Sequence, residues 1–159
     1  MNVFRIAKDQ YIRDLTGEGA RKYGGRWNRK GTNVLYTAEH ESLAVLEMLV
    51  HATMTLLPKD LKLLVLSIPP DISSEKIDGG ILPANWREYP APPILAKFGS
   101  EWVSSPKSLL LYVPSVIVPT EFNILINPYH QEFPKIRKKE IRDLFFDERL
   151  GKKIRVKTT

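Results

Sequence analysis

At 159 residues the chain is the size of one ordinary domain and can bury a core of its own. Its 43% hydrophobic and 26% charged residues are normal for a globular protein, and the lack of cysteine excludes disulfides, thiolate metal sites and a cysteine nucleophile. The net charge of +6 is uneven: residues 1–134 balance 14 basic against 14 acidic side chains, while residues 135–159 hold 10 basic and 4 acidic ones.

The start, MNVFRIAKDQ, lacks the long apolar core of a signal peptide, and no segment approaches bilayer-spanning length, so a cytoplasmic location is expected. VFRIA (3–7) reads as a short strand, and 8–33 as irregular structure rich in charge and glycine. NVLYTA (33–38) is a strand, and Thr37 or the acidic residues after it can start a helix over about 39–51. LKLLVLSI (61–68) is a continuous apolar run ended by Pro69 and Pro70, the pattern of a buried strand. The proline-rich connection over 69–93 is too long for a turn, and loops of that length are functional or flexible. A short helix follows over roughly 93–104, with Gly99 an unfavourable residue inside it. SLLLYV, SVIV and FNILIN then read as three short strands broken by Pro114 and Pro119, and KIRKKEIRDLFF fits neither helical nor strand period. Many short strands with few helices predict an α+β single domain, a mixed β-sheet core with flanking helices.

Two stretches carry chemistry. YGGRWNRKGTNVLY (23–36) places Arg26 and Trp27 in a glycine-bounded turn and Tyr36 in the strand that follows. Arg26 can fork two hydrogen bonds onto a phosphate, glycines let an anionic ligand come close, and Tyr36 can offer a ring face to a flat heterocycle. Asn28 reads as a cap of the turn, and Trp27 as a core residue. LAVLEMLV (43–50) is apolar except at Glu47, which predicts a helix buried nearly all round, with Leu43 and Val50 on the face of Glu47. A carboxylate there is costly unless partnered. It either sits at the helix edge, paired with His51 or an arginine, or stands at the floor of a cleft, where it can accept from a ribose hydroxyl or stabilise positive charge at a sugar carbon. Arginine, tyrosine and glutamate together suit a nucleotide. The glycine pair matches neither the dinucleotide fingerprint nor a P-loop. Three histidines without acidic partners at ligand spacing give no reason to expect a metal.

The residues of both stretches resemble the RES-domain family, named for an arginine, a glutamate and a serine. FRIA and DLTGEGARKYGGRWNRKGTNVLYTAEHESLAVLEMLVH resemble its first block, GSEWVSSPKSLLLYVPSVIVPTEFNILINPYHQEF its second, and LFFDERL its closing motif. The resemblance implies a RES domain over 1–150 followed by a basic extension, 151–159. It identifies Arg26, Tyr36, Glu47 and Ser115 as the motif residues. Asn127, otherwise the simplest turn starter before Pro128, is a further candidate for the ligand site.

A fold similar to the ADP-ribosyltransferases is implied, with NAD⁺ as substrate in a cleft and no metal. So is the toxin half of a bacterial toxin–antitoxin pair, partnered by a helix-turn-helix (Xre-type) antitoxin. Family members hydrolyse or phosphorolyse NAD⁺ or transfer its ADP-ribose to a protein. On that basis Arg26 would anchor the pyrophosphate, Tyr36 would stack on nicotinamide, and Glu47 would hold the nicotinamide ribose and stabilise its cationic transition state. Ser115 would bond the ribose or carboxamide. Two rivals stay open: a nucleic-acid-binding protein or ribonuclease using the basic C-terminal segment, and a non-catalytic nucleotide-binding fold. Against the first, the excess charge lies away from the arginine–tyrosine–glutamate unit.

Overall fold

A computed structural model describes residues 1–51, 59–105 and 107–147. The stretch 151–159, read above as a basic extension, lies outside the described residues.

The described residues form a seven-stranded mixed sheet in one domain. Its strands are β1 (Asn2–Lys8), β2 (Leu35–Ala38), β3 (Leu61–Ser67), β4 (Ser74–Lys76), β5 (Leu110–Pro114), β6 (Phe122–Ile126) and β7 (Arg137–Asp143). Their spatial order is β4-β5-β6-β2-β1-β3-β7, antiparallel except for the β4–β5 pair. Four helices accompany it: α1 (Asp9–Ile12), α2 (Glu18–Tyr23), α3 (Glu41–His51) and α4 (Pro93–Ser104).

Alternation along the strands sorts the core onto the two faces of the sheet. Val3, Leu35, Leu64, Leu66, Ile124 and Ile126 pack together on one face, closed by Ile12 of α1. On the other, Leu111, Val113 and Leu125 pack against Trp27 and against Leu95 and Trp102 of α4. Beside them, Ala38 meets Leu43 and Ala44 of α3, with Phe4 and Ile6 of β1. Helices α3 and α4 thus share one face of the sheet.

Several expectations are corrected here. SVIV is not a strand: after Pro114 the hydroxyl of Ser115 accepts the backbone N–H of Ile117 and of Val118, both at 3.1 Å. A serine that captures its own downstream amides offers the chain a turn in place of a ladder. KIRKKEIRD does form a strand, β7, at the sheet edge. Its register on β3 slips between Val65 and Leu66, where Glu140 and Lys138 are the successive partners, so a bulge breaks the period-two pattern. The 8–33 segment holds α1 and α2, too short to show helical periodicity. The proline-rich connection contains β4, whose three residues are all exposed, and a 3₁₀ turn at Gly79–Ile81.

Helix α3 is less buried than its apolar run predicts. Leu43 and Ala44 are buried, but Leu46 is 40% and Val50 63% exposed. The helix presses its first turns onto β1 and β2, and its far face remains open.

Candidate active site

The loop between α2 and β2 turns tightly, with Gly25 and Asn28 bonded to each other through their backbones (3.0 and 3.4 Å). This places Arg26 and Trp27 at the turn and sends them in different directions. Trp27 is 2% exposed and enters the core with Leu95 and Trp102. Arg26 lines a cleft of about 1180 Å³. The indole is therefore the anchor that aims the arginine.

Asn28 does more than cap this turn. Its Nδ2 donates to the carbonyls of Ala20, Arg29 and Thr32 (2.9, 3.1 and 3.1 Å), which leaves Oδ1 as acceptor. The Tyr36 hydroxyl donates to that Oδ1 at 2.8 Å and accepts the Trp27 N–H at 3.1 Å. Burial pushes the Tyr36 phenol well above its ordinary value, with the Trp27 amide and Arg26 opposing, so it stays neutral and fills both roles. Gly25 is required by proximity: a Cβ there would lie 2.7 Å from the Tyr36 oxygen and 2.9 Å from Asn28 Oδ1.

Arg26 reaches the proline-rich connection, donating from Nη1 to Trp86 O (2.7 Å) and from Nη2 to Glu88 O (3.2 Å). Both partners are neutral carbonyls, and three of its five N–H donors remain. Burial pulls the guanidinium's pKa down, while Glu47 and then Tyr36 pull it back. Arg87 lines the same cleft and donates to Val116 O at 3.2 Å.

Glu47 stands one turn beyond Leu43 and Ala44 on α3, so it shares their sheet-facing side. Ser115 Oγ donates to its Oε1 at 2.9 Å, and Asn123 Nδ2 to the same oxygen at 2.6 Å. Two backbone amides already occupy the lone pairs of Ser115, so its one proton is directed at Glu47. His51, one turn along, is not the partner: it lines the cleft, and Glu47 is held from across the sheet.

Arg26, Tyr36 and Glu47 are thus brought to one cleft. Ser115 is fully buried, is not among the residues that line the cleft, and donates to Glu47, which does line it. Asn127 is not brought there. It is 1% exposed, donates to Val103 O at the end of α4 (3.3 Å) and accepts the Tyr129 N–H (3.0 Å), so it serves the turn after β6. His130 is buried in the same turn, with Nδ1 accepting the Glu132 N–H at 3.2 Å.

Asn123 and Arg87 were missed in the sequence. A polar side chain inside FNILIN was the available signal for Asn123. Arg87 had none, since it lies in a proline-rich connection with no periodicity.

The cleft exceeds the roughly 300–1,000 Å³ of common ligand pockets and has room for a dinucleotide. Its arginines suit an anionic group, and its anchored carboxylate suits a sugar hydroxyl or a developing cation.

The RES domain family matches residues 2–147. The chain is 40% identical over 142 residues to the "Prs ADP-ribosylating toxin" of Sphingobium sp. (strain YBL2), covering 88% of each protein. It is 42% identical over 134 residues to a "Toxin Res" of Yersinia enterocolitica, covering 84% of this chain and 88% of that one. Its fold is similar to a chain in the crystal structure of the M. tuberculosis MbcT–MbcA toxin–antitoxin complex. That match has a TM-score of 0.71 and 16% identity, covering 90% of this chain and 83% of that one. The chain belongs to the RES-domain family and groups with its toxins.

Proposed function

We propose that this protein is a toxin that cleaves the bond between nicotinamide and ribose in NAD⁺ and passes the ADP-ribose to water or phosphate. The observation that carries the reading is the Glu47 carboxylate, pinned through Oε1 by Ser115 and Asn123 in a cleft that also presents Arg26.

The chemistry suits such a site. The leaving nicotinamide is a neutral base departing from a cationic ring, so no acid has to protonate it. Catalysis then rests on positioning and on stabilising an oxocarbenium-like sugar. Glu47 is anchored on one oxygen, which leaves Oε2 to accept from a ribose hydroxyl and face the developing charge. Arg26 retains donors for the diphosphate. Tyr36 contributes its ring to the cleft wall while its hydroxyl holds the loop of Arg26.

A second reading has its own support. The Sphingobium relative is named an ADP-ribosylating toxin, so the acceptor here can instead be a protein side chain, with the same bond broken. The structural relative comes from a toxin–antitoxin complex, and we infer that an antitoxin of the helix-turn-helix (Xre) type neutralises this chain in turn. The nucleic-acid reading draws less support. On and beside β7, Arg142 pairs with both Glu41 oxygens (2.7 Å) and Lys135 with Glu132 (3.0 Å), while Lys138 donates to Arg13 O.

The test is nicotinamide release from NAD⁺ by the parent and by Glu47→Gln, with and without phosphate. Release by the parent alone supports the reading, and phosphate dependence separates phosphorolysis from hydrolysis. Equal release by both proteins removes Glu47 from the reaction. Release only on adding cell extract, with label retained on protein, moves the acceptor to a side chain.

A further inference from the structure

Glu47 receives two hydrogen bonds on a single oxygen, from two different elements. Ser115, in the turn after β5, supplies one at 2.9 Å, and Asn123, within β6, supplies the other at 2.6 Å. Asn123 interrupts an otherwise apolar strand on the face shared with Leu125. Its Cα partners are Ala38 on β2 and Val113 on β5, so rigid backbone flanks it on both sides. Tyr36 pairs with Leu125, which makes Asn123 its diagonal neighbour on the cleft face. The short distance to a carboxylate oxygen requires the amide's N–H₂ side, since its carbonyl oxygen would face a like-charged atom.

We propose that Asn123 is a positioning residue that sets the plane of the Glu47 carboxylate. The lone pairs of a carboxylate oxygen lie in the plane of the group. One donor on Oε1 leaves the carboxylate free to swing about that contact. Two donors from separate directions define the plane and hence where Oε2 points. Ser115 alone is a single tether; Asn123 removes the remaining rotation. Asn123 has no atom to give or take in the reaction, so its contribution is the orientation of Glu47. A charged donor here would neutralise the carboxylate that a cationic sugar needs, whereas a neutral amide orients it and leaves its charge in place. The other charged or titratable groups on the cleft wall are Arg26 and Tyr36 from the α2–β2 loop and β2, His51 on α3 itself, Arg87 and Tyr89 from the proline-rich connection, Arg5 on β1, and Asp14, Glu18 and Tyr23 at and before α2; Arg26 and Glu47 act on each other electrostatically.

The inference rests on the reading of Glu47 as the working carboxylate, and one arm of its test does not depend on NAD⁺. Parent, Asn123→Ala, Asn123→Asp and Glu47→Gln would be compared as full-length proteins. For Asn123→Ala, kcat for nicotinamide release should fall about 10–100-fold, the scale expected when a reacting group is misplaced by about 1 Å, with KM little changed. Its thermal midpoint should stay within about 3 °C of the parent's. Asn123→Asp keeps the shape and loses the donor. It should be as impaired as Glu47→Gln near neutral pH, then regain activity relative to the parent at acid pH, where a proton shared between two adjacent carboxylates restores a donor. A merely structural amide would instead lower the thermal midpoint of Asn123→Ala along with its kcat. Parent-like kcat in Asn123→Ala, or loss in both variants with no recovery at low pH, overturns the proposal. If the parent releases no nicotinamide, the NAD⁺ reading fails by itself. Growth arrest on induced expression in a bacterial host then decides. Folded Asn123→Ala that has lost arrest, as Glu47→Gln has, supports the role of Asn123; arrest equal to the parent's rejects it.

Discussion

Gly99 of α4 lies directly against the carbonyl of Trp27: a Cβ on Gly99 would stand 1.8 Å from that oxygen. Helix propensity alone favours alanine over glycine by about 1 kcal/mol. A contact this close to backbone reverses the sign. Gly99→Ala should destabilise the protein by at least about 1–3 kcal/mol, the usual cost of overpacking, measured by urea denaturation. Because Trp27 aims Arg26, the same variant should lose turnover out of proportion to the fraction unfolded. A more stable Gly99→Ala protein would show that α4 does not seat the loop.

Tyr36→Phe keeps the ring and removes only the hydroxyl. It leaves the Trp27 N–H and Asn28 Oδ1 without their partner, a loss of about 1–3 kcal/mol for buried groups. The expected outcome is a lowered denaturation midpoint at unchanged m-value. Full stability in Tyr36→Phe would mean that the phenol is not committed to the loop and is free for ligand.

Arg26→Lys retains the charge but loses the fork that spans the carbonyls of Trp86 and Glu88. If Arg26 binds the diphosphate through planar, paired bonds, KM for NAD⁺ should rise about tenfold, or about 1.4 kcal/mol, with stability changed by less. Steady-state kinetics against a denaturation curve separates the two effects. An unchanged KM would remove the arginine from diphosphate binding.

Acid stability offers a prediction away from the cleft. Glu132 accepts bonds from the hydroxyl and the amide of Ser73 and from Lys135, tying the β3–β4 connection to the β6–β7 connection. Ser73 first, then Lys135, hold its carboxyl down at about 2. A depressed folded value means the contribution is complete above the ordinary carboxylate range and is lost as pH falls through it toward about 2. The thermal midpoint of the parent should therefore drop more steeply below about pH 4.5 than that of Glu132→Gln. Parallel curves for the two proteins would remove Glu132 as the acid-sensitive tie.

That Arg26, Tyr36 and Glu47 belong to one candidate site was legible along the chain because its parts are local. Gly25, Arg26 and Trp27 are consecutive, Tyr36 follows on the next strand, and Glu47 breaks an apolar run on the next helix. The partners of Glu47 were another matter. His51 was the natural candidate within one helical turn, yet the carboxylate is bonded by residues 68 and 76 positions away. The proline-rich connection likewise showed no pattern, although its backbone carbonyls receive Arg26 from 60 and 62 positions away. SVIV misled for a local reason: its branched apolar residues favour a strand, while the Ser115 hydroxyl captures the amides that a ladder would need.

The residue order alone thus establishes an α+β chain with a glycine-bounded arginine loop and a carboxylate set in an apolar helix, because periodicity and turn chemistry act over a few residues. Which donors hold that carboxylate, which of its oxygens they occupy, and that Asn127 stands apart follow from strand order. The β5-β6-β2-β1 arrangement carries Ser115 and Asn123 under α3, and no short-range pattern encodes a pairing between residues so far apart in the chain.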